Sequence, residues 1–107
     1  MTQELPFGVA VHNDDNCLRL DVTGELDIAF EQDLVERARD AIAATKAPTV
    51  VIDLRRVSFI DSSGLRALLV CRDTAKERGV ALLLAVEDGP VGRLLEVAGV
   101  RDWFDYE

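Results

Sequence analysis

Only two cysteines, one histidine, one tryptophan and one tyrosine occur among the 107 residues, and each shortage closes off a class of protein. Cys17 and Cys71 lie in unrelated segments, and neither belongs to a CxxC pair or a Cys/His cluster. A zinc module or thiol redox motif is therefore not indicated, and no metal is expected. A disulfide between them stays open, but free buried thiols in a reducing compartment are the expectation. His12 has no visible partner for acid–base or metal chemistry and reads as a surface strand residue. There is no phosphate-binding glycine loop and no nucleophile elbow, and Gly89-Pro90-Val91-Gly92 reads as a turn into a helix. No apolar run approaches 18 residues, and Met1-Thr2-Gln3-Glu4 lacks a basic, then apolar, leader pattern. A cytoplasmic chain without signal peptide or membrane span is expected.

What remains is ordinary globular material. Half the residues are apolar but only 6% aromatic, so the core must be built from Val, Leu, Ile and Ala. The length suits one domain over residues 1–107. A formal net charge of −8 repels nucleic-acid backbones and anionic lipid, so neither is an expected partner. No exposed apolar patch is evident in the sequence, and the free protein is expected to be a monomer.

The turn signals cut the chain into an alternation. Residues 8–12 form a short strand, followed by the polar cluster Asn13-Asp14-Asp15-Asn16. Residues 17–23 then alternate, with Leu18, Leu20 and Val22 on one face and Arg19 and Asp21 on the other, as in a half-buried hairpin strand. Gly24-Glu25-Leu26-Asp27 breaks that strand, and Asp27 is the expected N-cap of a helix. Phe30, Leu34, Ala38 and Ile42 give that helix its apolar stripe as far as Thr45, with Pro48 beyond. Val50-Val51-Ile52 and residues 80–86 read as strands covered on both faces. Helices follow over residues 64–78, closed by Gly79, and from Pro90 to a stop at Gly99. Residues 103–106 supply a last short strand, with Trp103 and Phe104 plugging the sheet edge, or else forming a binding patch. The order β-β-α-β-α-β-α-(β) predicts an α/β fold with a mixed, mostly parallel sheet of four to five strands.

The segment Val57-Ser58-Phe59-Ile60-Asp61-Ser62-Ser63-Gly64-Leu65 precedes the second helix, a position where α/β proteins place their sites. Its plain reading is a helix cap, since Asp and Ser side chains accept bonds from first-turn amides. Its sharper reading is a phosphoacceptor serine. A phosphate there would meet free amides and the helix dipole, and would bring about −1.5 to −2 charges beside Asp61, and beside Asp27 if that is close. Glu25 and Asp27 share one turn and read as capping and docking groups rather than an acid–base pair.

Val51-Ile52-Asp53-Leu54, followed by Val57 to Leu65, resembles the signature of bacterial anti-sigma-factor antagonists of the STAS family. Thr23-Gly24-Glu25-Leu26-Asp27 is similar to that family's second marker, and the element order matches over essentially the whole chain. The resemblance implies the STAS fold and a partner-switching protein rather than an enzyme. Ser62 would be the phosphorylated serine, with Asp27 close to it and Ser63 and Gly64 shaping the helix start. The partner would be an anti-sigma factor that is also a serine kinase of the GHKL type and binds the ATP, so this chain needs no cofactor. Phosphorylation would break the complex and a PP2C-type phosphatase would restore it. Docking would centre on Asp61, Ser62, Ser63, Gly64 and Leu65 and on the loop at Asp27. Arg66 stands where the family often has glycine, which bears on the choice of partner. It could also reach an acidic partner surface or help hold a phosphate. Two alternatives remain: an unphosphorylated STAS subunit of a transport or stress-signalling complex, and a small enzyme or nucleotide binder.

Overall fold

The computed structural model describes residues 7–107; residues 1–6, on which the expectation of no leader rests, lie outside the described part. Strand β1 (Gly8–Asn13) and strand β2 (Cys17–Leu26) pair antiparallel. The turn between them is held by Asp14, whose Oδ1 accepts from the amides of Asn16 (2.7 Å) and Cys17 (2.8 Å), as an Asx turn should. Helix α1 (Glu31–Ala44) leads to β3 (Thr49–Ile60), helix α2 (Ser62–Glu77) to β4 (Ala81–Ala85), and helix α3 (Pro90–Val97) through a 3-10 turn (Arg101–Trp103) to β5 (Asp105–Tyr106). The sheet order is β1-β2-β3-β4-β5, with every pair after the hairpin parallel. This is the expected mixed α/β sheet, with five strands.

The period of two in β2 sorts its side chains cleanly. Leu18, Leu20, Val22 and Leu26 join one apolar cluster with Val50, Ile52 and Leu54 of β3 and Leu82 and Leu84 of β4. The same cluster takes the stripes of all three helices: Leu34, Ala38 and Ile42; Leu68, Cys71 and Ala75; Val91 and Leu95. A fully buried leucine such as Leu34 or Leu68 contributes about 1.5–3 kcal/mol. All three helices thus cover one face of the sheet.

The expectation that β3 and β4 are covered by packed elements on both faces is therefore corrected. Val51 points to the other face, pairs in register with Arg19, and is buried without belonging to the core cluster. That face is closed by charged side chains. Arg19 donates to Asp53 at 2.7 Å and to Glu107 at 2.9 Å, so it reaches from β2 across the sheet to the residue after β5. Arg55 also bonds Asp53 at 2.7 Å, and His12 lies 3.2 Å from Asp21. An arginine's long stem can cover apolar surface that the sequence pattern assigns to a second helix layer.

Hydrogen bonds from Arg55, and then from Arg19, hold the Asp53 carboxyl well below the usual carboxylate range against the opposing cost of its burial. A carboxyl depressed on folding contributes stability above its unfolded pKa, near 3.9, and loses it as pH falls below that value. Acid titration by circular dichroism should show stability dropping by about 2 kcal/mol below pH ~4. In Asp53→Asn that part of the pH dependence should vanish.

Both cysteines are free. Cys71 is buried, and burial pushes its thiol up to about 12, but Cys17 is only half-buried, against expectation. The aromatic pair divides. Phe104 is buried in the core, while Trp103 is half-exposed beneath the Arg72 guanidinium, 5.9 Å from the ring centre.

Several boundaries differ from expectation; the last strand, for one, starts at Asp105 because Trp103 closes the 3-10 turn. Gly24 does not end β2; at φ 87° it forms part of an irregularity in the β2–β3 ladder, and the strand runs on to Leu26. Beside it β3 continues past Leu54 to Ile60. Asp27 does not cap α1 either. Its Oδ1 accepts from the Ala29 amide (3.0 Å) and its carbonyl from Phe30 (3.1 Å), making a separate turn. Phe30 takes the cap position without a side-chain bond, its ring stacked on Phe7 at 4.6 Å. Asp27 is spent on its own turn, and the helix starts after it without a side-chain cap.

Candidate functional site

The site is built at the carboxyl ends of β2 and β3. Leu26 and Ile60 are register partners, so the residues that follow them, Asp27 and Asp61, leave the sheet on neighbouring strands. This brings the two sequence markers to one edge.

Asp61 is the N-cap of α2, as its residue type predicts. Its Oδ1 accepts from the amides of Ser63 (2.9 Å) and Gly64 (3.2 Å), and its carbonyl from the Leu65 amide (3.0 Å). The helix therefore begins at Ser62, two residues before the expected start. One expectation changes with it: a phosphate on Ser62 would not find the amides of Ser63 and Gly64 free, because Asp61 already holds them.

Ser62 and Ser63 part company at the first helical turn. Ser62 is exposed and Ser63 is buried, so only Ser62 is presented to a partner. Gly64 is buried because α2 runs hard against β2. A Cβ on Gly64 would collide with the Leu26 carbonyl oxygen and lie 2.7 Å from Ile60 Cγ1. Leu65 is half-buried and packs on the core cluster. The glycine permits the close approach that ties α2 to the Asp27 loop.

Arg66 is not free to face a partner alone. Its Nη1 lies 3.2 Å from Glu31 Oε1, joining the first turns of α2 and α1. Sequence reasoning missed Glu31, which looks like one more charge on a solvated helix face; its partner is 35 residues away. It also missed the exposed apolar groups near the carboxyl ends of β2 and β3. Ile28, beside Asp27, is 74% exposed, and Phe59, near the end of β3, is 46% exposed. Phe59 and Ile60 share a shallow groove with Pro90, Leu94 and Val97 of α3. Exposed Ile and Phe within strand and loop patterns that look half-buried were the available signal.

The site thus offers one exposed hydroxyl, two carboxylates, one ion pair and a rim of apolar side chains. His12, the lone imidazole, sits near the hairpin turn at the other end of the sheet. Among the described residues no group of three His, Cys, Asp or Glu is arranged to hold a metal ion, and no helix is long and apolar enough to cross a membrane.

A helix-capping Asp-Ser at the carboxyl edge of a sheet in the order β1-β2-β3-β4-β5, with helices on one face, defines a class of small α/β module. The STAS domain family matches residues 9–107, and the chain belongs to that family. Solved structures agree with the fold. An anti-sigma factor antagonist from Mycobacterium paratuberculosis superposes with a TM-score of 0.82 at 22% identity, over 94% of this chain and 86% of that one. The Bacillus cell-fate determinant SpoIIAA in its phosphorylated form gives 0.67 at 20%, over 95% and 91%. A sulfate transporter family protein from Wolinella succinogenes gives 0.69 at 24%, over 89% and 81%.

Proposed function

We propose that this chain, as one STAS domain over residues 1–107, is an anti-sigma-factor antagonist switched by phosphorylation of Ser62. The observation that carries the reading is the exposure of Ser62 at the first position of α2, at the sheet edge where β2 and β3 end and where Ile28 and Phe59 are also exposed. Such a surface favours a protein partner that covers the hydroxyl and buries the apolar rim. A doubly charged phosphate at its centre cannot be buried without a large desolvation cost.

The site holds no imidazole to activate Ser62 as a nucleophile, and the partner is the natural source of the phosphoryl group. The partner is an anti-sigma factor of the GHKL serine-kinase type, whose own ATP supplies the phosphate; a PP2C-type phosphatase removes it. Asp27, Asp61 and Leu65 shape the docking face, and Ser63 and Gly64 hold it in place from below. The chain works in the cytoplasm, needs no cofactor, and is a monomer when free.

Likeness to a sulfate transporter family protein supports a second reading, an unphosphorylated STAS subunit of a larger complex. Incubation with ATP and each GHKL-type kinase of the source organism, followed by intact and peptide mass spectrometry, decides between the two. A single phosphate on Ser62 from one kinase is the expected result. No phosphate from any of them leaves the second reading and reduces Asp61-Ser62 to a helix cap.

A further inference from the structure

We propose that Arg66 is the internal counter-ion of a phosphoserine at position 62, and that phosphorylation draws it off Glu31. The inference rests on Ser62 being the phosphoacceptor. It concerns what the rest of the site does once the phosphate is there.

A phosphate on Ser62 arrives in acidic company. Asp61 precedes it, Asp27 leaves the adjoining strand, and Glu31 lies across the helix pair. Of the first-turn amides that ordinarily bind an anion at a helix start, those of Ser63 and Gly64 are held by the Asp61 carboxylate and that of Leu65 by the Asp61 carbonyl. A phosphate on Ser62 is thus short of amide donors, and a cationic side chain within reach adds the compensation. Arg93 of α3 lines the groove on the Ile60 side, but Arg66 is placed by the helix itself. It is four residues after Ser62, on the same face and one turn on. Helical side chains lean toward the N-terminus, so from its present place on Glu31 the Arg66 guanidinium can swing back over the turn that carries Ser62.

The present partner of Arg66 is easily given up. The contact with Glu31 is a single one at 3.2 Å, and the arginine side chain is 64% exposed. Glu31 is the more covered end, its side chain 20% exposed, but a single contact on an exposed arginine is weak. A phosphate offers two oxygens to the guanidinium fork and nearly twice the charge of a carboxylate. The exchange has two consequences at the docking face. The link between the first turns of α1 and α2 opens, and the Glu31 carboxylate loses its cation. One modification then adds the phosphate charge, withdraws the nearest positive group and unmasks a further negative one.

The test needs no kinase. Phosphoserine is placed at position 62 of the full chain by genetic encoding, and its phosphorus NMR signal is titrated in the parent, Arg66→Ala and Arg66→Lys proteins. The second phosphate pKa, near 6 for an unperturbed group, should lie about 0.15–0.4 unit lower in the parent than in Arg66→Ala. Arg66→Lys should recover part of that difference, because it keeps the charge without the fork. The Arg66 side-chain Nε–H signal should move with the same midpoint. Equal phosphate pKa values in the parent and Arg66→Ala, or an Arg66 signal indifferent to the titration, overturn the proposal. Because the phosphate is installed directly, that failure is separate from a failure of any kinase to modify Ser62. Arg66 is exposed, so its variants keep the fold.

Discussion

Gly64→Ala is expected to destabilise the protein by about 1–3 kcal/mol, the usual cost of forcing extra volume into packed surroundings, although only one methyl group is added. Alanine is the better helix former by nearly 1 kcal/mol, so a rise in stability is what helix propensity alone predicts. The structure reverses the sign. The added Cβ meets the Leu26 carbonyl oxygen, Ile60 Cγ1 and Leu26 Cγ, the last at 2.9 Å. Two of these neighbours belong to buried core residues, Leu26 and Ile60, and the carbonyl is backbone, which cannot swing aside as a flexible side-chain end can. Helix α2 must back away from β2, loosening the junction that sets Asp61 and Ser62 beside Asp27. Urea unfolding should show the loss of stability, and binding of the cognate partner should weaken beyond what the unfolded fraction explains. An unchanged or raised midpoint would mean that α2 does not sit as close to Leu26 as described.

The same residue shows what could be read from the chain and what could not. Gly64 looks like a flexible residue next to a cap, and its spacing from Asp61 says only that a helix starts nearby. That it is tight against Leu26, 38 positions earlier, depends on the parallel pairing of β2 with β3, which no local pattern contains. Features resting on local chemistry were legible: the Asx turn at Asp14, the alternation of β2, the Asp61 cap, Pro90 in the first turn of α3 and the helix stops at Gly79 and Gly99. Features decided by distant partners were not. Gly24 reads as a strand breaker, yet the ladder absorbs it as an irregularity and continues. Arg55, Arg56 and Ser58 read as a loop, yet β3 runs through them because Thr23 to Leu26 hydrogen-bond alongside. Asp27 reads as a cap, yet it closes a separate turn with Ala29 and Phe30, and α1 starts beyond it. At the site the two aspartates and both serines were legible as a pair of markers. The burial of Ser63 beside the exposure of Ser62, and the hold of Glu31 on Arg66, follow only from the packed helix pair.

Ser62→Asp is expected to weaken binding to the proposed anti-sigma partner by about 2 kcal/mol or more, roughly thirtyfold in Kd, while leaving the free protein folded. The two effects separate for a physical reason. In the free chain Ser62 is exposed and α2 has no acidic residue in its first turn, so the helix dipole favours a carboxylate there. The neighbouring Asp61 carboxylate opposes it by a similar amount. The net change in fold stability should stay within about 0.5 kcal/mol. In the proposed complex the partner surface would cover the same carboxylate, and the cost falls on binding alone. Ser62→Ala removes the acceptor without adding charge, so it should bind like the parent and stay bound when ATP is present. Calorimetric titration of the three proteins against the partner, with and without ATP, measures each term. Equal affinity of Ser62→Asp and the parent would show that the hydroxyl lies outside the covered surface and that charge at this position does not block the complex. Loss of binding in Ser62→Ala would show that the hydroxyl is itself a contact, and the switch would then act by removing an attraction as well as adding a repulsion.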